Sequence, residues 1–209
     1  MATPVKNFLN LLLPYVPGAP DIAAMNALRR TAIEFCSRTM VWRTMQSADM
    51  VAATSAYTVA SDTDANVNKV LAVSVSGLWL EPIQVDEMTR IDNWNTQTAA
   101  TPSRYYLTQP GVVNLWPIPT ASVTGGLLFQ TVEQPSIMCS TVPDFLYNQY
   151  GQAMIDGALA VLLSTPAQQW TNPDLAVWHR QQFENQIGVT MQVSSEGFGR
   201  TPVRARAVQ

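Results

Sequence analysis

The segment spanning residues 142–187 carries the clearest helical signals in the chain. Pro143 suits the first position of a helix, because proline lacks the N–H group that would be unsatisfied there. Asp144 places a negative charge near the positive end of the helix dipole. Apolar residues then recur at spacings of three and four until Pro166, which interrupts the helix. The pattern predicts one helix of about twenty residues with a single apolar stripe.

A second helix is signalled a few residues later. The side chain of Asn172 suits the cap of this helix, and Pro173 suits its first position. The residues on one face are Ala176, His179, Phe183 and Ile187. Because the connection over residues 166–171 is short, the two helices are predicted to lie antiparallel as neighbours. The rest of the chain is expected to be organised around this helical hairpin.

Two glycines lie inside the first helix of the predicted hairpin. Gly151 and Gly157 would each cost about 0.5–1 kcal/mol relative to alanine in a helix. Close approach of another backbone, from another helix of this chain or from the same helix of a neighbouring subunit, would offset that cost. Local flexibility is the alternative explanation.

The N-terminal region predicts two further helices. Residues Thr3 to Leu13 fit a short amphipathic helix capped by Thr3. A proline-rich link over residues 13–20 is expected to form a rigid strap. Residues Asp21 to Ser37 predict the other helix, because apolar residues repeat at helical spacing. The expected buried seam consists of Met25, Leu28, Ala32 and Phe35.

Residues 40–141 change from helical spacing to alternation, which predicts an inserted antiparallel β domain. Tight hairpins are predicted at Ser76-Gly77 and at Gln109-Pro110-Gly111, where glycine supplies a positive backbone angle. A short helix or turn is expected over Asp86 to Trp94, and an exposed loop over Asn93 to Pro102. The predicted strands are Val41 to Ser47, Ala56 to Ala60, Lys69 to Ser76, Trp79 to Val85, Arg104 to Thr108, Val112 to Trp116, and Gly126 to Val132.

The last residues, 194–209, lose hydrophobic periodicity and contain no acid after Glu196. They are predicted to form an extended tail that orders on a partner. The predicted fold class is therefore α+β. An antiparallel helical bundle, formed by residues 1–39 and 142–193, would carry an inserted β domain at 40–141 and a C-terminal tail.

The composition limits the classes of function. The chain is 47% hydrophobic and only 13% charged, which predicts large surfaces buried against partners. A formal net charge of -3 lacks the basic excess that tight nucleic-acid binding requires. The apolar run at residues 8–13 is too short to span a bilayer and lacks the features of a signal peptide, so the protein is predicted to be intracellular when made. Cys36 and Cys139 are predicted to be buried, reduced thiols.

Patterns for nucleophilic and metal chemistry are weak. The single histidine, His179, is interpreted as a core or interface residue, because a catalytic or metal-binding role needs partners that the sequence pattern does not supply. No serine lies in a nucleophile-elbow pattern, and Gly125-Gly126 is interpreted as a turn rather than a phosphate-binding loop.

Pairs of carboxylates are the other candidate for catalysis. Asp62 and Asp64, and likewise Asp86 and Glu87, lie in predicted loops and are interpreted as solvated charges. Glycoside hydrolysis would need two carboxylates facing each other across a cleft. The sequence predicts no enzymatic activity, no cofactor and no metal.

The tryptophans and a group of arginines each allow two interpretations. Trp79 and Trp116 within strands, and Trp170 at a helix junction, fit core or interface positions better than a carbohydrate-binding surface. The arginines are interpreted as one solvated helix face or an inter-subunit salt-bridge surface rather than a nucleic-acid site. This set consists of Arg29, Arg30, Arg38 and Arg43.

Several short motifs occur in a specific order. First come a proline-rich strap, a helix that ends in Glu-Phe-Cys, and an aromatic-basic pair. A strand that ends in Leu-x-Pro-x-Pro follows. The last motifs are a Pro-Asp helix start, a Gly-Ala-Leu sequence within that helix, and Trp-x-Asn-Pro before the final helix. The matching residues are Pro17, Pro20, Glu34, Phe35, Cys36, Trp42, Arg43, Leu115, Pro117, Pro119, Pro143, Asp144, Gly157, Ala158, Leu159, Trp170, Asn172 and Pro173. With these motifs, nearly the whole chain resembles the head-to-tail adaptor (connector) proteins of tailed double-stranded DNA bacteriophages, particularly podovirus-like ones.

The resemblance implies a non-enzymatic structural protein of the virion neck that is assembled in the host cytoplasm. A ring of about twelve copies would join the portal protein to a tail nozzle or tail tube protein. DNA would pass through the central channel without sequence-specific binding, and no membrane is involved. The alternative interpretation is a carbohydrate-binding or tail-fibre-associated module, and an enzyme ranks third.

Within this resemblance, two segments are predicted to bind partners. The C-terminal tail is predicted to anchor the portal, because it is too short and too polar to bury a core of its own. Its portal-binding residues are Phe198, Arg200, Val203, Arg204 and Arg206. The exposed loop in the β domain is predicted to contact the tail through Thr96, Gln97 and Thr98.

Overall fold

The structure is a computed structural model, and it describes residues 2–196. The chain divides into two compact units. One, here called the helical unit, comprises the residues up to Val41 and those from Ile137 onward. The other, the β unit, comprises Trp42–Ser136.

Helices account for 39% of the described residues. Short 3-10 turns at Val5–Phe8 and Leu13–Tyr15 flank the first of them. In chain order the helices are α1 Leu9–Leu12, α2 Asp21–Thr39, α3 Val85–Met88, α4 Asp144–Asn148, α5 Gly151–Leu163 and α6 Pro173–Glu196.

Strands account for 31% of the described residues and form four sheets there. In chain order they are β1 Ala2–Pro4, β2 Arg43–Met50, β3 Ala56–Thr58, β4 Ala65–Val75, β5 Leu78–Trp79, β6 Glu81–Pro82, β7 Thr98–Ala99, β8 Arg104–Gln109, β9 Val112–Trp116, β10 Ile118–Pro119, β11 Val123–Pro135 and β12 Thr141–Pro143.

Helices α2, α5 and α6 pack against one another in the helical unit. Helix α5 lies at the centre, and ten of its thirteen residues are buried. Phe35 of α2 and Phe183 of α6 meet with their ring centroids 6.2 Å apart. At Gly157 of α5, an added Cβ would overlap the methyl group of Thr31 and lie 3.1 Å from the Phe183 ring. Another helix therefore does approach at Gly157, but the atoms nearest to it are side-chain atoms of Thr31 and Phe183 rather than the predicted backbone.

The prediction of a single helix from Pro143 to Pro166 is wrong, because the structure has two helices there. The segment is divided into α4 and α5, because Tyr150 between them has φ -118° and ψ 15°. The Tyr150 ring packs against Phe35, 5.1 Å between centroids, and against Phe145 at 6.2 Å. Gly151 thus begins a helix, and within the described chain no atom lies within 4 Å of a Cβ added there. The close-approach explanation for Gly151 is not supported within this chain.

The second helix of the hairpin begins as predicted. The Asn172 side-chain oxygen accepts a hydrogen bond from the Leu175 N–H at 3.2 Å, which is the capping interaction. Helix α6 continues to Glu196, beyond the predicted start of the tail at residue 194. The Ser194 hydroxyl is buried and donates to the Thr39 carbonyl oxygen of α2 at 2.6 Å. This tertiary contact stabilises the last turn of α6.

The N-terminal helix predicted over Thr3 to Leu13 is wrong at its start, because helical turns begin only at Val5. Residues 2–4 form strand β1, which pairs antiparallel with β12. Thr3 does not cap a helix, because its hydroxyl donates to the Asp144 carboxylate at 2.6 Å. Partners about 140 residues away in the chain therefore override the local capping preference of Thr3.

Two four-stranded sheets form the β unit, with strand orders β2-β11-β4-β5 and β3-β9-β8-β6. Their apolar residues share one core, which includes Val73, Val113, Leu127 and Phe129. Both predicted hairpins are confirmed. Ser76 and Gly77 connect β4 to β5 with φ 49° and 84°, and Gly111 connects β8 to β9 with φ 75°.

The predicted fold class, a helical bundle with an inserted antiparallel β domain and an extended tail, is wrong. The described chain is a mixed fold in which four sheets hold nearly as many residues as the helices. A sheet, β1 with β12, lies in the helical unit, and two strand pairs in the β unit are parallel, namely β6 with β8 and β7 with β10. Strands β1, β7, β10 and β12 have only two or three residues, which is too short for an alternating pattern, so the sequence did not reveal them.

Candidate assembly surfaces

Charged side chains form a network on the helical unit, between α2 and α6. Arg180 lies 2.6 Å from both Glu34 and Glu184, and Arg38 lies 2.6 Å from Glu184. The hydrogen bond from Arg180 lowers the pKa of Glu34, and that from Arg38 lowers the pKa of Glu184. The network therefore stabilises the fold above the ordinary glutamate pKa, and its contribution is lost as pH falls through the lowered values. Because these groups are partly exposed, the contribution is modest.

The four arginines that were interpreted as one surface do not form one group in the structure. Arg38 pairs within the chain through the network above. Arg29 donates to the Cys139 carbonyl oxygen at 2.8 Å and so fixes a loop of the same unit. Arg43 lies in β2 of the β unit. An inter-subunit salt-bridge surface made from all four is therefore not supported.

The interpretation of His179 as a core residue is confirmed. Its ring is buried, and Nδ1 lies 2.8 Å from the Asp156 carboxylate of α5. The sequence pattern did not reveal Asp156 as the partner of His179, although Asp156 is the one charged residue between Gly151 and Leu163. An isolated acid within an apolar helix was the available signal. The pair connects α5 with α6 inside the helical unit.

A buried carboxylate in the β unit was also missed. Glu133 of β11 is fully buried and accepts hydrogen bonds from the Thr44 hydroxyl at 2.9 Å and the Asp62 N–H at 3.2 Å. Burial raises the pKa of Glu133, and the nearby Asp62 charge acts in the same direction. These contacts tie the end of β11 to β2 and to the loop before β4.

We expect Glu133 to make the β unit less stable as pH rises. Its pKa is raised on folding, so the native state holds the proton at pH values where the unfolded chain releases it. The stabilising contribution is present below the ordinary pKa and is lost as pH rises through the raised value. In Glu133→Gln this decline is expected to be absent. Denaturant unfolding at a series of pH values measures it.

The exposed carboxylate Glu81 provides the matched control for this prediction. Its side chain is 80% exposed, so Glu81→Gln removes an acid from the same unit without affecting a buried site. We expect Glu81→Gln to retain the pH dependence of the wild type. Identical pH profiles for Glu133→Gln and the wild type would contradict the assignment to Glu133.

The residues predicted to bind the tail lie around a small parallel sheet. Thr96 and Thr98 are exposed, and Gln97 is half-buried. The Gln97 side chain donates to the Asp92 carbonyl oxygen at 3.1 Å, and Thr98 is in β7, which pairs with β10. The segment predicted as a plain loop thus contains a strand. The predicted portal-binding residues, Phe198, Arg200, Val203, Arg204 and Arg206, lie outside the described residues.

Large apolar side chains are exposed in both units. On α6 they include Trp178, Val189 and Val193, and near the N-terminus they include Leu11 and Tyr15. In the β unit, Leu78 and Trp79 follow the β4–β5 turn. Trp79, which was interpreted as a core or interface residue, is not in the core of this chain, because its side chain is 56% exposed. Exposed apolar side chains grouped in this way are typical of surfaces that contact other proteins.

The comparison with protein families identifies the class of protein. A family model described as SU10 adaptor protein matches residues 5–206. The chain belongs to the SU10 adaptor protein family. No curated protein matches the chain.

The SU10 adaptor proteins are head-to-tail adaptors of bacteriophages, so the chain is a structural component of a phage virion with a head-to-tail adaptor role. The match favours the adaptor interpretation over the carbohydrate-binding module. None of the helices within residues 2–196 combines the length and apolar character needed to cross a membrane. Among the same residues, no three potential metal ligands cluster.

Proposed function

We propose that this adaptor forms a ring, of about twelve copies, that joins the portal to a tail nozzle or tail tube protein and encloses the DNA exit channel. The match to the adaptor family over residues 5–206 carries this proposal. The net charge of -3 supports a channel through which DNA passes without being held, because tight binding would require a basic excess. The proposed role is structural and not enzymatic.

Electron microscopy of the adaptor mixed with its cognate, DNA-free portal tests the proposal. We expect a ring of adaptor density at one end of the portal and a complex of correspondingly larger mass. The matched control is the portal alone under the same conditions. A portal that remains bare at saturating adaptor concentration would contradict the proposed function.

We further propose that the residues after α6 are the portal anchor. Because α6 extends to Glu196 and Ser194 is buried against α2, a truncation that leaves the fold intact must end at Glu196. This truncation is expected to abolish ring formation on DNA-free portal while leaving the melting temperature nearly unchanged. Each exposed ion pair of the anchor contributes only about 0–1 kcal/mol, but the ring multiplies the effect through avidity.

The use of DNA-free portal separates two roles for Arg200, Arg204 and Arg206. If these arginines contact DNA phosphates in the channel, their replacement by alanine leaves binding to the empty portal unchanged. If they bind carboxylates of the portal, the alanine variant loses that binding. Full occupancy of the portal by the truncated chain would place the anchor in the helical unit instead.

The β7 region is proposed to contact the tail. Because β7 pairs with β10 through its backbone, substitution of exposed side chains is a cleaner test than deletion. Thr96→Asp combined with Thr98→Asp is expected to leave portal binding intact and to reduce tail attachment to filled heads at least tenfold. Thr124→Asp, at another exposed position of the β unit, is the matched control. Complete tails on heads carrying the double variant would refute the contact.

A further inference from the structure

Helix α6 exposes apolar side chains near both ends of one side, with uncharged polar residues between them. Leu175, Trp178, Val189 and Val193 fall on the same side of the helix, and all four are exposed. Together they are called the α6 stripe. The opposite side of α6 packs on α2 and α5 through Ala176, Phe183 and Ile187. A helix of 24 residues is roughly 36 Å long, so the two apolar groups of the α6 stripe lie near opposite ends of the helix.

The surface around the α6 stripe is uncharged in its C-terminal half. Residues 185–195 contain no Asp, Glu, Lys, Arg or His. The exposed positions there are Asn, Gln, Gly and Ser in addition to the apolar residues. A solvent-facing helix of a soluble protein ordinarily carries charges on its outer side. The absence of charge indicates that this side is buried in the assembled protein.

A second uncharged surface lies at the N-terminus of the same unit. Residues 7–20 also contain no charged residue. Leu12 and Val16 are buried, whereas Leu11 is 44% and Tyr15 is 59% exposed. Leu11 and Tyr15 are four residues apart in continuous helical turns, so they share one side. Together they are called the N-terminal patch.

The two surfaces are on different sides of α2. The N-terminal segment contacts the Leu28 and Ala32 side of this helix, where Phe8 lines a small cavity with them. Helix α6 contacts the opposite flank, where Arg180 pairs with Glu34 and Ser194 bonds to Thr39. Helix α5 contacts both the N-terminal helix α1 and α6. The two surfaces therefore belong to elements that pack on different sides of α2.

We propose that the α6 stripe of one copy packs on the N-terminal patch of the next copy. The occupant of each surface is a second copy of this chain, and the inference rests on the proposed ring. A ring requires a heterologous contact between two different surfaces, whereas a surface that pairs with itself closes a dimer. The two surfaces suit each other because neither presents a charge that would be left unpaired on burial.

Cysteine cross-linking on cognate, DNA-free portal tests this contact. Tyr15→Cys and Val189→Cys are prepared as separate proteins and treated with a short bismaleimide, each alone and as a mixture. The native Cys36 and Cys139 are buried, and the wild-type chain treated in the same way checks that they do not react. Met45→Cys, exposed in the β unit, replaces Tyr15→Cys in a matched control mixture.

The proposal expects cross-linked adaptor dimers only in the mixture of Tyr15→Cys with Val189→Cys. The variant carrying both cysteines is expected to give a ladder of oligomers. Dimers of Val189→Cys alone would show that α6 pairs with α6, and adducts with the portal would show that the portal covers α6. Either result overturns the proposal, as does a complete ring that gives no cross-link in the mixture.

Charge substitutions provide a second readout. Val189→Glu and Tyr15→Glu are each expected to reduce the fraction of ring-bearing portals at least tenfold. Val177→Glu is the matched control, because Val177 is exposed on α6 but lines the groove next to α5 instead of the stripe. Normal rings with Val189→Glu would refute the contact while leaving the proposed function intact. A wild-type chain that leaves the portal bare would refute both.

Discussion

Replacing Gly157 by alanine is expected to destabilise the helical unit by roughly 1–3 kcal/mol, the usual cost of overpacking a core. The new Cβ would overlap the Thr31 methyl and lie 3.1 Å from two carbons of the Phe183 ring. Thr31 is buried and β-branched, so its methyl group has little freedom to move away. The loss exceeds the gain of about 0.5–1 kcal/mol that alanine ordinarily provides over glycine in a helix.

Two variants make this result specific to the close contact. Gly188→Ala in α6 adds the same atom where no atom lies within 4 Å, and it is expected to stabilise the monomer by about 0.5–1 kcal/mol. Thr31→Ser removes the obstructing methyl group, so the double variant is expected to recover much of the stability lost in Gly157→Ala. Denaturant unfolding followed by far-UV circular dichroism measures all of these. A Gly157→Ala protein as stable as the wild type would contradict the packing described.

Replacing Asp156 by leucine is expected to cost about 1–3 kcal/mol, because it leaves a buried polar atom of His179 without its partner. The Gln152 side chain would lose an acceptor as well, since its amide lies 3.2 Å from the same carboxylate oxygen. For a chain of this length, each kcal/mol lowers the melting temperature by roughly 2–4 °C. Thermal unfolding of the purified adaptor measures the change.

Asp156→Asn is the matched control, because it retains a side-chain oxygen that can accept from His179 Nδ1. It is expected to keep most of the stability lost in Asp156→Leu. The combined variant Asp156→Leu with His179→Phe removes both polar partners and is expected to recover part of the loss. If Asp156→Leu and Asp156→Asn were equally stable, the buried pair would have no structural role.

Sequence signals predicted the structure correctly where the stabilising interaction is made by residues close together in the chain. The Asn172 cap and the glycine turns at Gly77 and Gly111 were predicted and confirmed, because each depends on a few consecutive residues. The same holds for β9, whose predicted bounds, Val112 to Trp116, are those of the structure. Within the candidate surfaces, the core position of His179 followed from its place on the apolar face of α6.

Signals failed where a distant residue competed with a local preference. Thr3 has the properties of a helix cap, but its hydroxyl binds Asp144 and its backbone pairs with β12. The apolar spacing predicted one helix from Pro143 to Pro166, but the structure divides it at Tyr150. Packing of the Tyr150 ring against Phe35 coincides with the break between α4 and α5, and Gly151, which begins α5, was the local signal of that break.

The sequence by itself determined the family of this adaptor, the long helices α2 and α6, the two tight hairpins and the low charge that indicates buried surfaces. Only the tertiary structure decided which polar groups are buried together, as in the Asp156–His179 pair and at Glu133, and which apolar residues stay exposed. Periodicity and caps arise from contacts within a few residues, so they can be read along the chain. Whether an apolar stripe faces the core or solvent depends on which elements cover it, and α6 presents one apolar side to each.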